Sequence, residues 1–426
     1  MKSHRTYISL LLIAAVFAGL TGCAAPLDSV GALKAVDLTG HISAGSVVVG
    51  KPADDVFIAS MADFSVELFK KSITAGQNSL ISPLSVMLAL SMIANGADGE
   101  TLTQMETLLG SGIPLTKLNE YLFSYAQSLS SGEKSKLRIA NSLWFRDDGD
   151  SLQVRADFLQ KNADYYRAAA YSSSFDNQTV NDINNWVKSN TDGMIDQILD
   201  EIQGLDMLYL INAVVFDAEW QNVYTTESVR KGDFTETGGM IRNVDFMHGA
   251  EYGYLDDGFA TGFVKPYANG GYSFAALLPY EGVSLEAYIE SLSGAGLLDI
   301  LADKQEDTLV FTSMPRFSYT YSIKMIDALR SLGIRDAFDA QTADFGRMAT
   351  TTAGNGNLYL SEVLHKTFIA VDELGTKAGA VTMGAMSSGG TPLDPKVVNL
   401  DRPFVYAIID NATNLPIFIG TLLTVR

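Results

Sequence analysis

Val371-Asp372-Glu373-Leu374-Gly375-Thr376-Lys377-Ala378-Gly379-Ala380-Val381-Thr382 is the stretch that decides how this chain is read. From Gly375 onward every residue except Lys377 is small or β-branched. Side chains alternate along a strand, so one face of the extended segment carries Thr376, Ala378, Ala380, Thr382, Gly384 and Met386. The other carries Lys377, Gly379, Val381 and Met383, and with them the only charge. Such a strand can be pressed by its even face against a filled core without burying an ion. The same alternation sends Asp372 and Glu373 to opposite faces, which argues against a general acid/base pair on one substrate.

Around this stretch the chain is rich in elements. Phe57, Met61, Phe64 and Leu68 recur at helical spacing, with Asp63, Glu67, Lys70 and Lys71 between them; an amphipathic helix is expected there. Residues 84–95 read as a second, largely apolar helix, and residues 322–332 as a helix stopped by Gly333. Residues 136–145 alternate as a strand, although Asn141 interrupts the apolar side. Further strands are expected over 208–216, 272–278, 309–314, 368–372, 404–409 and 417–424. Several are too continuously apolar to be half exposed, as in a sheet covered on both faces.

The balance of charge narrows the function. The 30 Lys+Arg against 49 Asp+Glu leave −19, which repels phosphate backbones, so no nucleic-acid partner is expected. With 47% hydrophobic and 19% charged residues the chain can bury a large core, unlike an acidic disordered one. Its single cysteine excludes an internal disulfide and a Cys-rich metal site.

Lys2 and Arg5 precede an apolar run over 8–20, too short for a comfortable permanent span. The run ends in Leu20-Thr21-Gly22-Cys23, which resembles the bacterial lipobox. Residues 1–22 are therefore expected to be a lipoprotein signal peptide, and Cys23 the lipidated first residue on the extracellular face of the cell envelope, anchored durably if more than one chain is attached; the alternative is an ordinary secretory signal with an incidental cysteine and a secreted protein. Removing Lys2 and Arg5, with no acid, takes −19 to −21. Residues 23–52 show no sustained period and read as a tether spanning about 30 Å if flexible. Residues 53–426 carry no Pro/Ser-rich break, charge block or repeat, so one compact unit is expected.

Enzyme motifs are missing. Beyond the signal the histidines are His41, His248 and His365, none within five residues of another, so H-E-x-x-H spacings do not occur. Neither does G-x-S-x-G or a phosphate-binding G-x-x-x-x-G-K-[ST]. His365 enters a strand, where a histidine serves more often as a satisfied structural hydrogen-bonder than as a base.

At this point the chain resembles the serpin family. Asn78-Ser79-Leu80-Ile81-Ser82-Pro83-Leu84-Ser85 and Gly96-Ala97-Asp98-Gly99-Glu100-Thr101 are similar to the family's opening signature. Asn212 with Trp220, and Pro315-Arg316-Phe317, resemble internal markers. The segments His365-Lys366, 371–380, Asp401-Arg402-Pro403-Phe404-Val405 and Pro416-Ile417-Phe418-Ile419-Gly420 extend the likeness to the end.

The resemblance implies an α+β fold of three β-sheets with eight or nine helices and an exposed reactive-centre loop, here about 374–396. It implies a suicide-substrate inhibitor of extracellular serine proteases, with papain-like cysteine proteases as a further class, acting through a covalent acyl complex. A non-inhibitory binding protein or simple protease substrate is the alternative. It also implies a monomer without cofactor, metal or catalytic residues. The inserting hinge would comprise Glu373, Gly375, Thr376, Ala378, Gly379, Ala380 and Thr382. A buried polar cluster of Asn78, Ser82, Ser85, Asn212 and His365 would guard the parting strands, with Trp220 under the entry point. Counting sixteen residues on from Glu373 places the scissile bond at Gly389–Gly390, whereas counting back from Pro403-Phe404 reaches about Pro392. Met386, Ser387, Ser388 and Thr391 therefore share the window. No Arg or Lys lies between Lys377 and Lys396, which disfavours a trypsin-like target and suits elastase-like or subtilisin-like pockets.

Overall fold

In a computed structural model of the chain, the described residues are 33–45, 48–129, 131–147, 149, 152–351, 358–376 and 394–425. Among them are nine α-helices: α1 (Asp55–Lys71), α2 (Pro83–Ala94), α3 (Gly99–Gly110), α4 (Leu115–Ser128), α5 (Ala156–Tyr166), α6 (Asn177–Asn190), α7 (Leu285–Ser291), α8 (Gly294–Ala302) and α9 (Ile326–Ser331). Helix α1 starts where the Asp54 carboxylate accepts the Phe57 N–H at 3.1 Å, and its apolar stripe faces the core. Helix α2 is apolar all round and every one of its residues is buried. It is the central helix.

The strands form three sheets among the described residues, as the fold expectation required. The sheet that matters most contains β1 (Val36–Asp37), β2 (Ser135–Arg146), β3 (Ala169–Ser173), β4 (Leu208–Glu219), β5 (Phe317–Lys324), β6 (Glu362–Val371) and β7 (Gly375–Thr376), ordered β1-β3-β2-β4-β7-β6-β5. A nine-stranded sheet runs from Lys396–Asn399 through Gln305–Pro315, Ile241–Asp256, Ala260–Pro266, Tyr272–Pro279, Phe404–Asp410 and Pro416–Leu422 to Ser79–Ile81, with Val229–Thr235 beside Ile241–Asp256. Leu152–Val154 and Ala349–Thr351 make a two-stranded ribbon.

Strand β4 shows why its sequence is a continuous apolar run. Leu208, Leu210, Val214 and Phe216 face the main core, while Tyr209, Ile211, Ala213 and Val215 face a second core with Ile183, Trp186 and Val187 of α6. Both faces are covered, one of them by α6. Asn212 sits where the main-core series would place another apolar residue.

Three expectations need correction. Residues 322–332 are not one helix: Ser322, Ile323 and Lys324 finish β5, where they pair with β6, and only Ile326–Ser331 is helical. The strand read over 368–372 starts at Glu362, because its first half pairs in parallel with β4. The tether over 23–52 does not extend past Leu33: Val36 and Asp37 pair with Ser172 and Tyr171, and the Leu38 N–H donates to the Ala170 carbonyl at 2.8 Å. The Asp182 carboxylate accepts the N–H groups of Lys34 and Ala35 at 2.9 and 2.8 Å. An irregular arm satisfied by a helix carboxylate and a sheet edge leaves no periodic signature to read.

Candidate functional site

The site is built where β4 and β6 meet. They pair in parallel from Glu362↔Tyr209 to Phe368↔Val215. Beyond that point they diverge, and β7 fills the gap, antiparallel to both: Thr376 opposes Val371 on one side and Ala218 on the other. The beginning of the stretch with which this reading opened is therefore already a strand. Glycine is required at 375, since a Cβ there would stand 2.0 Å from the Ala218 carbonyl oxygen. Thr376 is buried and its hydroxyl lies 2.6 Å from that of Tyr267, so the even-numbered face turns inward at the one position where the described hinge tests it.

The turn leading into β7 is held from its own backbone and from below. The Asp372 side chain accepts the N–H groups of Leu374 and Gly375 at 2.8 and 3.2 Å. Trp220 donates its indole N–H to the Asp372 carbonyl at 2.9 Å and its backbone N–H to that of Leu374 at 2.8 Å. The Tyr224 N–H donates to the Glu373 carbonyl at 2.9 Å. Trp220 itself is stacked on Tyr267 at 4.5 Å between ring centroids. Glu373 makes a close ion pair with Arg316 at the surface.

Lower down, where β4 and β6 are still zipped together, lies the polar cluster. Ser82 caps α2, with Pro83 at the first helical position. Its backbone N–H donates to His365 Nε2 at 3.2 Å. Because Nε2 accepts, the ring proton is on Nδ1 and is donated to Asn212 Oδ1. The Asn212 amide in turn reaches the Ser85 carbonyl at 3.1 Å, the Ser85 hydroxyl and Asn141 Oδ1. Strand register accounts for the meeting: Asn212 is directly opposite Asn141 in β2 and His365 in β6. Burial drives the His365 pKa down to about 3, so the imidazole is neutral at physiological pH. A ring fully buried with both nitrogens engaged has no lone pair for a solvent-borne substrate, which removes it as a general base.

The structure thus brings Ser82, Ser85, Asn212 and His365 together and places Trp220 under the turn before β7. Asn78 is separate, which corrects its assignment to the cluster: its side chain binds the C-terminal backbone, accepting from Leu423 and Thr424 at 2.7 and 3.0 Å and donating to the Thr424 carbonyl at 2.9 Å. Asn141 is the member that the sequence reading missed, although its signal was present as a polar break on an apolar strand face. Ala378, Gly379, Ala380, Thr382, the scissile window 386–391 and Cys23 lie outside the described residues. Among the described residues no group of three or more His, Cys, Asp or Glu is placed to hold a metal ion.

A family model described as serpin (serine protease inhibitor) matches residues 59–425. The chain belongs to the serpin family. Serpins are typically inhibitors that bind target serine proteases, and not enzymes, although some members of the family are non-inhibitory. This serpin is 30% identical over 378 residues to an uncharacterized serpin-like protein of Thermococcus kodakarensis, covering 86% of this chain and 85% of the relative. It is 30% identical over 386 residues to neuroserpin of Homo sapiens, covering 85% and 90%. Among solved structures, the thermophilic serpin tengpin in its native state superposes with a TM-score of 0.88 at 52% identity, over 92% of this chain and 100% of that one. Tengpin in its latent state gives 0.78 at 49% identity, over 88% and 100%. The backbone of this serpin is thus more similar to the native than to the latent form.

Proposed function

We propose that this serpin is a suicide-substrate inhibitor of extracellular serine proteases, with an elastase-like or subtilisin-like enzyme as the favoured target. The observation that carries the proposal is the partial occupancy of the β4–β6 gap. Two hinge residues are seated as an antiparallel strand, Thr376 points inward, and the strands below remain paired. A protease serine attacks the carbonyl of the scissile residue, the new amino terminus departs, and an acyl ester joins enzyme to loop. The freed loop then extends β7 downward and carries the esterified protease with it.

The energetics favour completion. Insertion replaces a parallel ladder of seven register pairs with two antiparallel ladders, and antiparallel pairing is slightly the more stable per residue. Roughly a dozen new hydrogen bonds at about 1 kcal/mol net each release an energy comparable to the ~5–15 kcal/mol stability of an ordinary domain. The polar cluster of Ser82, Ser85, Asn141, Asn212 and His365 spans the strands that must separate, so it opposes insertion until cleavage frees the loop. The small residues Ala378, Ala380 and Thr382 put no charge on the inserting face.

The deciding experiment mixes the mature protein with pancreatic elastase and with subtilisin and resolves the products on denaturing gels. A band of summed mass that survives denaturant is expected; cleavage without such a band, with every protease tried, overturns the proposal. Ala378→Arg is expected to turn the inhibitor into a substrate. The lipobox supports a further part of the reading, in which the serpin is displayed outside the cell on a lipid attached to Cys23. Palmitate labelling is expected to disappear in Cys23→Ser, and its persistence would refute the anchor.

A further inference from the structure

The corner at which β6 turns into β7 is held from outside by two residues. Three consecutive carbonyls, those of Asp372, Glu373 and Leu374, accept from the Trp220 indole at 2.9 Å, the Tyr224 N–H at 2.9 Å and the Trp220 N–H at 2.8 Å. Residues 220–224 form no strand of their own, so the shape of this short arch depends on what lies behind it. There the Gln221 N–H donates to the Pro266 carbonyl at 3.0 Å, and the Lys265 ammonium to that of Asn222 at 2.9 Å. The same ammonium stands 4.3 and 5.3 Å from the ring centroids of Tyr224 and Trp220. Glu251, on the neighbouring strand, pairs with it, and both side chains are buried. A cation is attracted to the faces of aromatic rings, so Lys265 fastens the middle of the arch and both of its ends at once.

Stability gives no reason for ions at this place. A buried pair recovers by attraction little more than it loses in desolvation, and a well-packed apolar pair of similar volume does as well or better. What leucine and methionine do not supply is a directional donor to the Asn222 carbonyl and a charge for the two rings.

The geometry points to Lys265, oriented by Glu251, as the positioning residue of the β6–β7 corner, acting through Asn222, Trp220 and Tyr224. Its consequence for function rests on the inhibitor reading above. The inserting strand grows from Thr376, so a fixed corner settles the reversal of the chain and the inward parity of Thr376 before cleavage. The entropy of closing that turn is then not lost afterwards. Once the acyl ester has formed, insertion competes with its hydrolysis. A loose corner slows the first and not the second, and the inhibitor is consumed as a substrate.

The test compares the parent mature chain with Glu251→Leu combined with Lys265→Met, which removes both charges and keeps the bulk. Hydrogen-exchange mass spectrometry should show amides over 372–376 exchanging about fivefold faster in the double variant, with β4 and α2 unchanged. Titration against subtilisin should consume about threefold more inhibitor per trapped enzyme. Leu118→Ala, a core truncation in α4, should lower the unfolding midpoint and leave both readings at parent values, which separates positioning from stability. Tyr224→Leu keeps the ion pair and removes one ring beneath the ammonium; it should move both readings in the direction of the double variant, and it serves where that variant does not fold. Parent-like exchange over 372–376 in a folded variant overturns the assignment, and faster exchange with unchanged inhibitor consumption overturns its link to insertion. If the parent traps no protease, only the inhibitor reading fails, and the exchange readout alone decides whether Lys265 holds the corner.

Discussion

The Tyr267 hydroxyl and Thr376 Oγ1 lie 2.6 Å apart, with both side chains buried, where β7 joins the main sheet. This pair is the inward-facing anchor of the hinge, and Tyr267 is stacked on the Trp220 that holds the preceding turn. Thr376→Val keeps the shape and removes the partner, leaving a tyrosine hydroxyl unsatisfied in an apolar setting. A loss of about 1–2 kcal/mol is expected, read as a lowered unfolding midpoint. Adding Tyr267→Phe should restore most of it, since deleting both partners leaves nothing orphaned. A double-mutant cycle showing no coupling would remove the anchor role.

His365 supplies a pH prediction with a definite sign. Its folded-state pKa is depressed to about 3 by burial, against an ordinary value near 6.5. Between these values the unfolded chain binds a proton that the folded one does not. Stability is therefore greatest above pH 6.5 and is lost as pH falls, by about 2 kcal/mol between pH 8 and pH 5 from this group alone. Desolvation and Arg230 lower the pKa of His248 in the same direction. The unfolding midpoint of His365→Gln should accordingly be less sensitive to pH over this range, though lower at pH 8. An equal pH slope in parent and variant would contradict a neutral buried imidazole.

How much of this was written in the sequence depends on the range of the interaction. Helices α1 and α2 were legible because cap, period and burial all lie within one segment. Gly375 and Thr376 were legible because strand alternation is local too. Asn141 was noticed as an irregularity but not interpreted, since its meaning requires β2, β4 and β6 to be aligned at one level. Asn78 was misplaced because its carbonyl and amide are used by Leu423 and Thr424, some 345 residues away. The start of β6 and the end of β5 were misread for a related reason: their pairing with strands distant in sequence overrides local helical and apolar signals.

The arm beginning at Leu33 gives a third prediction. Asp182 is buried, accepts two backbone N–H groups of the arm, and is held by the Gln178 amide at 2.9 Å. Asp182→Ala leaves both N–H groups without their acceptor, at a cost of about 2 kcal/mol for bonds to a charged group. Since β1 is only two residues long, the arm should detach as a unit. Hydrogen-exchange mass spectrometry should show protection lost over 34–38 and retained in β4 and α2. Unchanged protection of the arm would show that its edge pairing alone suffices.

A buried ion pair beneath the hinge yields the sharpest contrast. Lys265 and Glu251 are paired at 2.5 Å with side chains 2% and 5% exposed, and the ammonium also donates to the Asn222 carbonyl at 2.9 Å. It sits over the rings of Tyr224 and Trp220, at 4.3 and 5.3 Å from their centroids, the two residues whose backbone N–H groups hold Glu373 and Leu374. Burial lowers the Lys265 pKa and Glu251 opposes that shift. Glu251→Gln strands the lysine as an unpaired buried cation, and a loss of about 3–5 kcal/mol is expected. The lysine pKa then falls further below its unfolded value, so the variant's deficit should shrink as pH rises toward 10, where the unfolded chain also gives up the proton. Glu251→Leu with Lys265→Met removes both charges and the desolvation they entail, and should be close to the parent in stability. The three proteins are compared by denaturant unfolding at pH 7 and pH 9.5. If the double variant is as unstable as Glu251→Gln, what matters at this position is the pair itself rather than the avoidance of a lone charge, and the reasoning from desolvation fails.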